Sequence, residues 1–175
     1  YFNGARIDDL AVGVPGEDIG SGVDGEDAGA VNIILGTPSG LDTTGNRIWS
    51  QDSTDVIGVA ERRDQFGAAL AVGDFNGDGF ADLAIGVPGE DLVIEPPDGA
   101  SGLVFVAPGA DTDIRDAGVV NVIYGSPVGL TAAGGLFFTK DFQLISIPPN
   151  QIWHQNIESS AGAIASSAEE GDRFG

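Results

Sequence analysis

Along this chain the apolar positions come in short alternations or short runs between clusters of Gly, Pro, Asp and Ser. Leu83, Ile85 and Val87 alternate with Ala84 and Gly86, so that bulky and small side chains lie on opposite faces of a strand packed on both sides with unequal room. Patterns of this kind predict strands near 9–15, 29–36 and 47–51, and again near 66–73, 82–88, 118–125 and 151–156.

The two sets of strands belong to a repeat. Residues 75–91 repeat residues 2–18, residues 117–130 repeat 28–41, Ile152 and Trp153 echo Ile48 and Trp49, and residues 172–175 echo 64–67. Self-similarity at so long a period identifies a repeat architecture. The first unit spans 1–63 and lacks its first strand; the second spans 64–171, and 172–175 opens a further one. Four short strands per unit predict an all-β fold made of β-propeller blades, each of four antiparallel strands, with two blades covered. Ala68, Ala69 and Ala71 in the first strand suit the crowded region where blades converge. Propellers need about 4 to 8 blades. The remaining blades are expected from a longer chain, or from further copies that close a ring and share a blade.

Between the first two strands of the second unit lies the chain's most specific chemistry. Asp74, Asn76, Asp78 and Asp82 stand at positions 1, 3, 5 and 9 of a glycine-broken loop. Calcium takes six to eight oxygen ligands in flexible geometry, and alternate carboxylates with one backbone carbonyl supply most of them. The expected ligands are the side chains of Asp74, Asn76, Asp78 and Asp82 and the carbonyl of Phe80. An EF-hand would need a bidentate Glu at position 12 and helical flanks; here position 12 is Ile85 and the flanks read as strands. In the first unit Tyr1 replaces Asp74 and Ala5 replaces Asp78, leaving Asn3 and Asp9, so that loop is not expected to bind metal.

Phe66 and Gly67, the loop from Asp74 to Asp82, and Gly86, Val87 and Pro88 occur in this order. Together they resemble the FG-GAP repeat of the integrin α-subunit propeller and its bacterial relatives. The resemblance covers nearly the whole chain. It implies a blade with calcium held between its first two strands, used outside the cell for adhesion or recognition.

With 7 Lys plus Arg against 27 Asp plus Glu, the formal charge of −20 repels nucleic acid and anionic membrane surfaces. The acids Glu17, Asp18, Asp24, Glu26, Asp27, Glu90 and Asp91, after the Gly-Val-Pro strands, are expected on solvated rims. No cysteine occurs, which removes disulfides and thiol catalysis. No apolar run approaches the roughly 20 residues of a membrane span. Extracellular calcium modules bind at roughly 10⁻⁴ to 10⁻³ M, so a secreted or cell-surface location is expected. Position 1 is not Met; the sequence is expected to begin after the translation start.

The units differ chiefly by insertions, at 92–116, where the first unit has only 19–27, and at 131–150. The first contains an apolar run, Leu103 to Val106, and is either a partner-binding projection or a hairpin packed on its own blade. The second carries Phe137, Phe138 and Phe142 and is either a docking strip or a covering loop. Trp49 and Trp153 are expected to pack between blades, and His154 to be exposed. With one His and no nucleophile elbow, the usual hydrolase constellations are missing. The expected role is a calcium-stabilised extracellular module that binds a protein or glycan and is not an enzyme. A subunit of a filament or sheath, or the non-catalytic part of a secreted hydrolase, are the alternatives.

Overall fold

A computed structural model describes residues 1–93, 113–138, 144–153, 158–159, 162–163, 171 and 173. The first unit supplies β1 (Leu10–Val14), β2 (Ala30–Thr37) and β3 (Gly40–Trp49). The second supplies β4 (Ala69–Gly73), β5 (Asp82–Val87), the short pair β6 (Leu92–Val93) and β7 (Asp113–Ile114), β8 (Val119–Ile123), the hairpin β9 (Gly135–Phe138) and β10 (Leu144–Ile147), and β11 (Gln151–Trp153). Beyond them β12 (Glu158–Ser159) pairs with β13 (Gly162–Ala163). Every pairing is antiparallel, and no helix occurs among the described residues.

The second unit forms a four-stranded sheet in the order β11-β8-β5-β4, and the first a three-stranded sheet in the order β1-β2-β3. Four antiparallel strands in sequence order match the four-strand unit that the repeat predicts; the chain is all-β among the described residues, and the two sheets do not by themselves close a propeller. The insertion 92–116 leaves the blade through β6 and returns through β7. Its apolar run from Leu103 to Val106 lies outside the described residues, as do Phe142, His154 and most of 172–175.

Two strand boundaries differ from expectation. β3 begins at Gly40 rather than near 47, because a tight hairpin, in which Thr37 Oγ1 donates to the Gly40 carbonyl at 2.7 Å, starts the pairing early. A bulge between Ile33 and Leu35 absorbs the register shift this creates. β4 begins at Ala69 rather than at Phe66, because Phe66 and Gly67 are spent on the crossing between sheets.

The core lies between the sheets. Leu83, Ile85, Val87, Val119 and Ile123 from the second meet Val31, Ile33 and Trp49 from the first, with Phe2 and Phe66 in the same cluster. Each such large side chain, once buried, contributes on the order of 1.5–3 kcal/mol relative to exposure. Trp49 is buried, as expected for a residue packing between blades, whereas Trp153 is 39% exposed.

At the crossing, the Phe66 amide donates to the Ala28 carbonyl of the first unit at 2.8 Å, and the next amide, Gly67, donates to Gly86 of the second at 3.0 Å. The chain passes so close to β1 that a Cβ on Gly13 would stand 2.1 Å from the Gly67 carbonyl oxygen. Backbone cannot yield as a flexible side chain does. Gly13→Ala is therefore expected to destabilise the fold by roughly 1–3 kcal/mol, the usual cost of overpacking, measured as a lower midpoint in urea unfolding. A midpoint equal to the parent's would show that the crossing is looser than described.

Candidate loop site and buried carboxyl junction

The loop between β4 and β5 is closed by its own acids. Asp74 Oδ1 accepts from the amides of Gly77 (2.7 Å) and Asp78 (3.0 Å), and its Oδ2 from Gly79 (3.0 Å). Asn76 Oδ1 accepts from Asp78 N at 3.0 Å, while Asn76 Nδ2 donates to Asp78 Oδ2 at 2.9 Å. Asp78 Oδ1 accepts from the Phe80 amide at 2.8 Å. Such Asx contacts are what short polar side chains make in turns. Asp74 and Asn76 are exposed, Asp78 is half-buried and Phe80 is buried.

Asp82 behaves differently. It is fully buried and divides its carboxylate between two distant amides, Phe75 N at 2.7 Å to Oδ2 and Gly125 N at 2.9 Å to Oδ1. One side chain thus ties the start of the loop to the end of β8. In the first unit Asp9 does the same, accepting from Phe2 N at 2.7 Å and Gly36 N at 2.9 Å. The two loops also share left-handed backbone, at Gly4 and Arg6 in one and at Gly77 and Gly79 in the other.

Calcium's donor set is present in the second loop, hard oxygens on a nine-residue turn. It is not gathered in advance: among the described residues, no three His, Asp or Glu side chains converge on a point able to hold an ion. Asp74 and Asp78 accept from backbone amides, and their carboxylates keep further lone pairs free of those bonds. Burial, with the charges of Asp78 and Asp74 added, raises the Asp82 carboxyl above the usual range against the lowering effect of its two amide partners.

The rim acids after the Gly-Val-Pro strands are not all solvated. Asp18 Oδ1 accepts from Asp27 N at 3.0 Å, and Asp91 Oδ1 from Asp116 N at 2.9 Å. These bonds pin two residues of positive φ, Asp27 at 56° and Asp116 at 49°. Glu90 corrects the expectation outright: it is 2% exposed, and Gln51 Nε2 donates to its Oε2. Asp64, equally buried, accepts from Glu61 N at 2.6 Å. Glu90 is buried because the first unit stands against it; its counterpart Glu17 is exposed. The recurrence of Asp64 as Asp172, before Phe-Gly in both places, is the one sequence signal that marked this junction.

Beside it lies a cleft lined by Arg62, Arg63, Arg115 and Arg173, four of the chain's seven basic residues. Glu61, Asp64, Asp91 and Asp116 line the same cleft, so acids stand among the cations there.

The strand order, the Phe-Gly crossing and the acid loop together define an all-β protein built on a repeated unit. The family described as FG-GAP repeat matches residues 66–107, which takes in the crossing, the loop and the Gly-Val-Pro strand, so the chain carries an FG-GAP repeat there, as the resemblance implied. No curated protein matches the chain.

The carboxyl junction sets a pH dependence. Burial, with Glu61, Asp91 and Asp116 nearby, raises Asp64 to about 7 against the lowering effect of the Glu61 amide. Burial and the charge of Asp64 raise Glu90 well above its ordinary value. Both groups bind protons more tightly folded than unfolded, so their stabilisation is complete below about pH 4 and is lost as pH rises towards 7. The melting temperature should fall across that window, and fall less in Glu90→Gln, which keeps the shape without the titration. An equal fall in the variant would take Glu90 out of the linkage.

Proposed function

We propose that this chain is a calcium-stabilised recognition module used outside the cell, in which the metal braces the loop between β4 and β5 and takes no part in chemistry. The observation that supports it is the contrast between the two loops. The first keeps the Asp9 clamp and the left-handed turn with Tyr1 and Ala5 in place of Asp74 and Asp78. The acids at those positions are therefore not needed to make the turn. Gathered near Asp82 they raise the free energy of its charged form, and a divalent cation would reverse that effect.

The ion would be held by the side chains of Asp74, Asn76, Asp78 and Asp82 and the carbonyl of Phe80. Bound calcium would supply positive charge and fix the loop; the protein supplies the frame, because Asp82 already ties the start of the loop to the end of β8. Sites of this kind in extracellular modules are filled at roughly 10⁻⁴ to 10⁻³ M free calcium, which supports a secreted or surface location. The strong negative charge disfavours polyanions and leaves a protein or a glycan as the partner. A binding role rather than catalysis accords with the single His and the absence of cysteine.

Thermal melts in calcium and in chelator test the metal. At a hundredfold excess over the dissociation constant, calcium should add about 2.7 kcal/mol. Asp78→Ala should abolish that gain and leave the melting temperature in chelator near the parent's. Asp82→Ala should lower it in chelator too, since two amides lose their acceptor, at about 1–3 kcal/mol for a buried group left unpaired. A full calcium response in Asp78→Ala would sink the ligand assignment.

A further inference from the structure

Where the two units differ in sequence, they enclose a cavity. About 370 Å³ of space lies between the end of β3, the turn at 53–55 and residues 130–133, within the roughly 300–1,000 Å³ of small-ligand sites. A smaller cavity of about 120 Å³ shares Arg47, Trp49 and Leu130 as walls. Thr131, Ala132 and Ala133 open the insertion 131–150 that sets the second unit apart from the first, and insertions in repeat proteins often lie on the binding face. By the repeat, Arg47 corresponds to Gln151, whose Oε1 accepts from the Tyr124 hydroxyl at 2.7 Å. Arg47 itself is exposed and forms no ion pair among the described residues.

The walls are fixed before any ligand arrives. Asn150 is 3% exposed. Its Oδ1 accepts from the Ile57 amide at 2.8 Å, its Nδ2 donates to the Val122 carbonyl at 2.9 Å, and its own amide donates to the Ala132 carbonyl at 2.6 Å. One buried residue thus ties the turn of the first unit to the opposite wall. Within that turn Ser53 Oγ accepts from the Ser50 amide at 2.9 Å, and Asp55 holds a φ of 65°, a left-handed conformation uncommon for a residue with a side chain and concentrated at functional sites.

We propose that this cavity binds one neutral hexopyranose unit of a glycan, an inference that rests on the recognition role proposed above and gives it a place. The lining matches what a sugar ring presents. Arg47 offers donors only, Asp55 acceptors only, and the hydroxyls of Ser53, Thr54 and Thr131 offer both, which suits a ligand whose hydroxyls each donate and accept. Ile48, Trp49, Leu130 and Ala132 supply the apolar side of the cavity, against which the C–H face of the ring would rest. One cation and one anion leave the lining without net charge, and the chain's charge of −20 repels acidic glycans.

Saturation-transfer NMR on the 175-residue chain tests this, with the methyl glycosides of glucose, galactose, mannose and N-acetylglucosamine as probes. At least one should bind, and methyl glucuronide, the acidic counterpart, should bind less well. Arg47→Ala should weaken the bound probe by about tenfold or more, as loss of a hydrogen bond to a charged group does. Ala133→Trp, at an exposed position in the lining, should abolish binding by filling the space. Both variants should keep the parent's melting temperature, and either alone decides the matter should the other fold poorly. Asp78→Ala lies outside the cavity and should bind the probe as the parent does, so that a lost calcium response and a lost sugar site are read separately. Binding by none of the neutral probes would overturn the proposal while leaving the calcium assignment standing. Binding that survives Ala133→Trp and Arg47→Ala unchanged, or that favours the glucuronide, would overturn it also.

Discussion

Two successive amides, Phe66 and Gly67, bond to opposite units, and the fold depends on that crossing. It fixes the spacing of the sheets, so it decides which side chains fit between them. Phe66 is wholly buried there, and Gly13 and Gly29 leave the room that the passing backbone takes up. A Cβ on Gly29 would stand 2.4 Å from the Phe66 carbonyl oxygen, so two separated glycines in the first unit serve one dipeptide in the second. The Phe-Gly pair is thus a joint between units more than part of a strand.

The internal repeat acts as a control on the loop chemistry. Asp9 and Asp82 make equivalent bonds at nearly equal lengths in loops whose other acids differ. The carboxylate at position nine is a constant of the blade, and the acids at positions one and five are additions to it. Arg6 holds a φ of 58° where the second loop has Gly79 at 89°, which shows the turn tolerating a side chain in the left-handed region at a modest steric cost. Such pairs separate what folding requires from what a ligand would require.

Much of this was legible in the sequence. Alternation and turn residues located the strands of the four-stranded sheet, because burial on two unequal faces leaves a period of two. Residues 40–46 were not legible as strand, since their side chains are all exposed and no face pattern survives. The loop's oxygen donors could be read from spacing alone, but the tie from Asp82 to Gly125, 43 residues away, could not. Glu90 was the clearest miss. Its own surroundings in sequence match those of Glu17, and only the neighbouring unit, through Gln51, makes one buried and the other exposed.

The two faces of β5 are unlike, one bulky with Leu83, Ile85 and Val87, the other opened by Ala84 and Gly86. An array built on such units, each keeping this inequality, would have a direction. Nearest-neighbour stacking of this kind lets length change while each junction stays the same. The inequality of the two faces is thus a rule of order as well as of packing.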